Sequence, residues 1–261
     1  RQQPNSSQIN IRSESGVEQI KLSGQEIREL EPNLSKQIQG GWYFPKAHHT
    51  LDPDLILKKL YQSYLSQGGQ FQKENISAIH PSENLIQINN NQFDQVVLCT
   101  GAFSKSLVKQ IEGHFIPLET ERGYHIEFID KQKLLSRPTS LVESGMYLTP
   151  LHNRLRAVGT VELGGLHSKI SQARINYIAR DAQRLLPALQ DYQNPWLGFR
   201  PTLPDCLPVL GNSPKFKNIF YAFGHNHLGW TLGPTTGKLI CNLIIKNIPI
   251  DQTFHISRFL K

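Results

Sequence analysis

The chain has 261 residues, 38% of them hydrophobic, and a mean hydropathy of −0.38, enough apolar side chains for one or two buried cores in a soluble protein. Its 28 Lys and Arg against 21 Asp and Glu give a net charge of +7 and a pI near 9.3. The basic residues are scattered, without the dense, aromatic-interleaved cluster of a nucleic-acid-binding face, so nucleic acid is set aside as a partner, while peripheral attraction to an anionic membrane surface fits the same charge.

No apolar run approaches the roughly 20 residues of a membrane helix, and the opening Arg-Gln-Gln-Pro-Asn-Ser-Ser lacks the apolar core of a signal peptide. Met146 is the single methionine, so the chain is expected to be cut from something longer. Cys99, Cys206 and Cys241 show no CxxC spacing and sit beside apolar residues, which reads as reduced, buried thiols.

Residues 1–20 are polar and read as a partly ordered strand or a frayed start. Ser23 with Glu26 three positions on predicts a capped helix over Gly24 to Leu30, ended by Glu31-Pro32. Gly40 to Pro45 reads as a loop leading to a short aromatic strand. Asp52 caps a helix with Pro53 in its first turn; Leu57, Tyr61 and Leu65 recur at helical spacing, and Gly68-Gly69 stops it. Short strands are expected around Phe71, from Ile76 to Ile79 and from Leu85 to Ile88, with Asn89 to Asn91 as a turn. The apolar run Phe93 to Leu98, closing on Cys99-Thr100-Gly101, reads as a buried parallel strand ending where backbone can be approached closely.

Residues 114–195 differ in character. Tyr124, Ile126 and Phe128 alternate with polar residues, as do Leu155, Ala157, Gly159 and Val161, which predicts antiparallel strands. Ser140 to Pro150 adds a strand carrying Tyr147. Ile175, Ile178, Ala182 and Leu185 predict a helix from about Ser168, stopping before Pro187.

The stretch from Trp196 to Leu243 is the most informative. It opens with Gly198-Phe199-Arg200-Pro201, continues through Pro204-Asp205 and Pro208 to Gly211, and then runs Ile219 to Phe223 as an apolar strand. Gly224-His225-Asn226-His227-Leu228-Gly229-Trp230-Thr231 follows as a loop, and a helix is expected from about Thr235 to Lys246. A strand that stops at glycines and opens a helix aims free backbone N–H groups at an anionic or electron-rich ligand. Arg200 has the planar donor fork that binds a carboxylate through two charge-assisted bonds, and its structural alternative is an ordinary ion pair with Asp205. His225 and His227 lack a third ligand at useful spacing, and His48-His49 reads as a polar loop, so no metal site is expected.

These ordered motifs resemble the C-terminal signature of the FAD-dependent D-amino-acid oxidase superfamily, with the likeness running to D-amino-acid dehydrogenase small subunits and hydroxyproline dehydrogenases. Leu-Glu-Pro-Asn-Leu, Leu-Asp-Pro and Glu121-Arg122-Gly123-Tyr124 add to it. The resemblance implies a two-domain FAD/NAD(P)-binding-like α/β (α+β) flavoprotein fold, truncated at its N-terminus, with an inserted, mostly antiparallel substrate domain. Residues 1–50 would open the substrate domain, 51–113 form a FAD-binding segment, 114–195 the substrate sheet and helix, and 196–261 the C-terminal FAD-binding segment. By the same resemblance Arg200, Tyr147 and His227 contact the amino-acid substrate. Ile76, Thr100, Gly101, Gly224, His225, Asn226, Leu228, Gly229, Trp230 and Thr231 contact FAD.

The chemistry implied is oxidation of the amine carbon of a D-amino acid or a hydroxyproline-like cyclic amino acid by hydride transfer to flavin, with orientation contributing most and no side chain assigned as a general base. The motif that superfamily members open with, Gly-x-Gly-x-x-Gly between a strand and a helix, holds the FAD pyrophosphate; it has no counterpart in these 261 residues. The resemblance therefore spans about the C-terminal two-thirds of a family member, and a partner chain supplying the first βαβ unit is one expectation. A non-catalytic remnant or partner subunit of a heteromeric flavoenzyme is the alternative, and an oxidase using O2 a third. The expected place is the cytoplasm, in association with the inner membrane face.

Overall fold

The computed structural model describes residues 6–260. They form two compact units: one of residues up to Phe71, Gly123–Val161 and Lys169–Leu197, the other of Gln72–Arg122, Glu162–Ser168 and residues from Gly198 on. The chain changes over between the units after residues 71, 122, 161, 168 and 197.

The first unit begins with α1 (Ser6–Glu14), where a strand or frayed start was expected. Gln, Ile, Arg and Glu are tolerable helix formers, and Gly16 in the left-handed region ends the segment. β1 (Ile20–Ser23) pairs antiparallel with β2 (Gly40–Tyr43), so Gly40 starts a strand rather than a loop. Between them α2 (Gly24–Leu30) has the expected capping box: Ser23 Oγ accepts from Glu26 N–H while the Glu26 carboxylate accepts from Ser23 N–H. α3 (Pro53–Ser66) is capped by Asp52, whose side chain accepts from Leu55 N–H at 2.9 Å.

The five-stranded sheet has the order β11 (Gln193–Thr202), β7 (Glu119–Ile129), β10 (Arg154–Leu163), β9 (Met146–Leu151), β8 (Thr139–Leu141). The chain passes between the two units within β7, β10 and β11. Tyr124, Ile126, Phe128, Met146, Leu148, Leu155 and Ala157 point to one face, where α5 (Gln172–Leu185) buries Ile175, Ile178, Ala182 and Leu185. The period-two and period-3.6 patterns therefore meet in one core, as the alternation predicts.

In the second unit β3 (Ile79–Pro81), β4 (Ile86–Ile88) and β5 (Asn91–Phe93) form an antiparallel meander. Gln70–Ala78 is irregular, so the strands expected at Phe71 and from Ile76 are absent; the regular segment starts at Ile79. The single strand expected over Phe93 to Leu98 is two, because β5 pairs with β4 whereas β6 (Val96–Leu98) pairs in parallel with β13 (Ile219–Phe223) in another sheet. The chain turns between them at Asp94-Gln95. α4 (Ser104–Glu112), with no counterpart in the sequence reading, buries Leu107, Val108 and Ile111 in a core with Leu98, Ile219, Tyr221 and Phe223.

That sheet runs β12 (Val209–Asn212), β13, β6. Among the described residues β6 has no partner along its other edge, and Val97 of β6 is exposed. α6 (Gly229–Lys246) starts six residues before the expected Thr235, because its glycine-rich first turns carry Pro234 without ending the helix.

Candidate functional site

In the second unit the candidate residues gather where β6 and β13 end and α6 begins. β13 stops at Phe223, and Gly224 turns the chain with φ +86°. A Cβ there would lie 2.7 Å from Leu203 Cδ1, so the turn requires glycine on two counts. Asn226, at φ +56°, donates its backbone N–H to Pro201 O at 3.0 Å, and its Oδ1 accepts from Thr202 Oγ1 at 3.3 Å. His225 Nε2 lies 2.8 Å from Thr236 Oγ1 on α6. Desolvation lowers the His225 pKa, so the imidazole is neutral at pH 7. The loop is thus fastened at one end to the strand carrying Arg200 and at the other to the helix.

A groove borders this loop, lined among others by Val97, Cys99, His225, Gly229, Gly233 and Gly237. The three glycines recur every fourth residue on α6, and a Cβ at Gly233 or Gly237 would meet nothing within 4 Å. Backbone is therefore presented to whatever fills the groove. Thr100 and Gly101 follow Cys99 directly; Thr100 Oγ1 is 2.9 Å from Ser104 Oγ, and Gly101 has φ +55° with open space at its Cβ. Cys99, Cys206 and Cys241 are free and exposed, correcting the expectation of buried thiols. Cys99 opens into the groove, where desolvation raises its pKa, Cys206 sits in a turn at φ +59°, and Cys241 lies on α6. His227, Leu228, Gly229, Trp230 and Thr231 are exposed. Ile76 is exposed in the irregular segment before β3 and is not among the groove-lining residues.

Arg200 lies on β11, half-buried, and its Nη1 is buried with no hydrogen-bond partner. Desolvation lowers its pKa while the Glu121 carboxylate raises it. The alternative pairing with Asp205 is overturned. Asp205 accepts from Arg258 Nε at 2.7 Å, and Arg258 also donates to Leu207 O and Pro208 O. Burial raises the Asp205 carboxyl, but the Arg258 bond and charge together with the backbone N–H of Leu207 outweigh it and the pKa is lowered. An unsatisfied buried guanidinium nitrogen costs stability unless a ligand oxygen meets it.

Arg122, one residue from Glu121, is fully buried, pairs with Glu162 at 3.2 Å and donates to Ser168 O at 2.7 Å. That is a structural role.

In the first unit Tyr147 stands on β9 opposite Val158 of β10 and Ser140 of β8, 54% exposed, on the face away from the core. The same face of β7 carries His125 and Glu127, which the sequence reading missed. His125 stacks on Trp196 of β11. Desolvation, then the Arg156 charge, lowers its pKa to about 4. Glu127 accepts from Arg154 Nε, Arg156 Nε and Nη2, and Asn194 Nδ2. Burial raises its carboxyl, but those bonds prevail and hold it below the usual range. Among the described residues no three His, Cys, Asp or Glu side chains are grouped as a metal site would need, and no helix is long and apolar enough to cross a membrane.

A parallel strand pair ending at a glycine-lined helix start, in a chain that also carries an antiparallel sheet, is an arrangement that a flavoprotein oxidoreductase would use. The chain matches the model of the FAD dependent oxidoreductase (DAO) family over residues 3–243 and belongs to that family. A D-amino-acid oxidase of Bradyrhizobium diazoefficiens is 30% identical over 96% of this chain, and a D-amino acid dehydrogenase of Neisseria gonorrhoeae is 30% identical over 88%. The chain spans 62% and 57% of the length of those relatives. Among solved structures, glycine oxidase from Geobacillus kaustophilus superposes with a TM-score of 0.85 at 24% identity, covering 95% of this chain and 69% of that one. L-proline dehydrogenase from P. horikoshii gives 0.80 at 18%, covering 97% and 71%. These two show the fold.

Proposed function

We propose that the chain is the larger part of an FAD-dependent dehydrogenase that oxidises the amine carbon of D-amino acids, with D-hydroxyproline-like cyclic amino acids within its range. The second unit is read as the flavin segment and the first as the substrate segment. The observation that carries this reading is the buried, unpartnered Nη1 of Arg200. A carboxylate oxygen satisfies that donor, and a fork of two parallel bonds fixes the substrate's orientation. In the same unit His227 offers an exposed imidazole at the loop, and the role of Tyr147 as a substrate contact rests on the family resemblance alone.

The residues present fit one end of FAD. Thr100, Gly101, the Gly224–Thr231 loop and the Gly233 and Gly237 face would hold the ring, with first-turn N–H groups of α6 stabilising negative charge there. Bound FAD supplies the two-electron acceptor for the Cα hydride. His225, neutral and bonded to Thr236, keeps the loop in place without adding a charge. The pyrophosphate turn comes from outside these residues, from a further segment or a partner chain. The reading includes a cytoplasmic enzyme associated with the inner membrane face.

Arg200→Ala in the enzyme that contains this chain tests the reading. The expected loss in kcat/KM for D-proline is ~3 kcal/mol of transition-state binding, and an unchanged value removes Arg200 from the site. Oxygen uptake during turnover separates an oxidase from a dehydrogenase. The open β6 edge favours a second reading, a non-catalytic partner subunit; turnover by the purified chain with added FAD would exclude it.

A further inference from the structure

Glu121 belongs to the Arg200 site. The register of β7 against β11 follows from two side-chain pairs on one sheet face. His125 stacks on Trp196 with ring centroids 4.8 Å apart, and Glu127 accepts from Asn194 Nδ2 at 3.1 Å. Two residues forward on β7 correspond to two residues back on β11, which is an antiparallel ladder. Continued the other way along the same strands, that ladder sets Glu121 opposite Arg200. Directly opposed side chains on one face have Cβ atoms about 4.5–5.5 Å apart. The electrostatic coupling of the Glu121 carboxylate to the Arg200 guanidinium agrees with this placement. Glu121 is half-exposed, whereas its chain neighbours Thr120 and Arg122 are buried.

We propose that Glu121 receives the substrate's ammonium group, so that Arg200 and Glu121 together recognise an α-amino acid as a zwitterion. The proposal rests on the reading of Arg200 as the carboxylate site. A carboxylate and an ammonium on one carbon need one cation and one anion side by side. A directly opposed Arg–Glu pair on a sheet supplies them with the spacing set by the backbone. The Arg200 Nη1 remains without a hydrogen bond although this carboxylate is near, so the pair leaves donor capacity for a ligand. The substrate class that fits is the free α-amino or cyclic imino acid; a carboxylate without an amine engages half of the site.

Dissociation constants of the enzyme that contains this chain, with its flavin held reduced so that D-proline binds without turnover, read by ligand-observed NMR, test this with two probes: D-proline, and the analogue with oxygen in place of the ring nitrogen. Glu121→Gln, isosteric and folded by circular dichroism, is expected to weaken D-proline about 10-fold or more while leaving the oxygen analogue within about two-fold. Glu121→Asp should regain part of the loss. Equal weakening of both probes, or unaltered D-proline binding, would overturn the proposal and make Glu121 a simple counter-ion. Arg200→Ala reports separately. Loss of both probes supports the carboxylate reading. If both still bind, that reading fails while the Glu121→Gln comparison still decides amine recognition.

Discussion

His125 lies almost flat against Trp196, ring planes 19° apart, on a strand whose next outward side chain is the carboxylate of Glu127. The imidazole is kept neutral by desolvation and by Arg156, with a folded-state pKa of about 4. In the unfolded chain the value returns to about 6.5, so the unfolded state binds the proton first. Stability is expected to be full above pH ~6.5 and to fall as pH drops towards 4, by about 2–3 kcal/mol. Urea midpoints at pH 7 and pH 5 measure this. His125→Phe, which keeps the stack, should flatten that window.

Glu127 acts in the same direction as His125, losing its contribution on acidification, but in a lower pH window. Its folded pKa is depressed, so its contribution is present above the unfolded carboxyl value of about 4.3 and is lost as pH falls through the folded value. Glu127→Ala leaves Arg154 and Arg156, both only part-exposed, without their shared acceptor. The expected cost is about 2–3 kcal/mol at pH 7, towards the lower end for a broken buried pair because both guanidiniums reach some water. Chemical denaturation of the variant checks it.

Gly233 and Gly237 separate stability from ligand binding. Gly233→Ala should stabilise the free chain by about 0.5–1 kcal/mol, because alanine is the better helix former and its Cβ meets nothing. The same methyl group enters the groove, so flavin affinity should drop. A thermal melt and an FAD titration by flavin fluorescence on one preparation give both values; a stabilised variant with unchanged affinity would place the flavin elsewhere.

Asn226→Ala removes the acceptor for Thr202 Oγ1 and forces a Cβ residue without a local polar partner into the left-handed region. A destabilisation of about 1–2 kcal/mol is expected, read from the shift in urea midpoint. Asn226→Gly removes the same acceptor but relieves the backbone, and should recover roughly half of it.

Much of the fold was legible because local rules and burial agree. Ser23 and Glu26 form the capping box, Asp52 caps α3, and the apolar faces of β7 and α5 meet in one core. One failure comes from pairing partners far away in sequence, another from a helix that continues through a proline. Nothing within Phe93 to Leu98 says that its two halves belong to different sheets. Nothing near Gly229 says that the helix tolerates Pro234. Of the candidate residues, Arg200 was singled out by its motif, and its buried, unpartnered Nη1 keeps it a candidate. Glu121, His125 and Glu127 gave only a weak signal, a polar residue at every second position of β7, until β11 was laid beside it.

The Glu127 cluster also bears on the order in which the chain acquires structure. Its donors come from 27 and 67 residues downstream, at Arg154 and Asn194, so the carboxylate waits through most of the sheet's synthesis before its last partner appears. Until Asn194 arrives nothing on that face locks β7 against β11, and the opposition of Glu121 to Arg200 is set by the same lock. Contacts of such separation form late and slowly. The proposed amino-acid site would therefore be assembled by the closing step of folding, and a chain stalled before β11 can carry a packed α5 core and no opposed Glu121 and Arg200 at all.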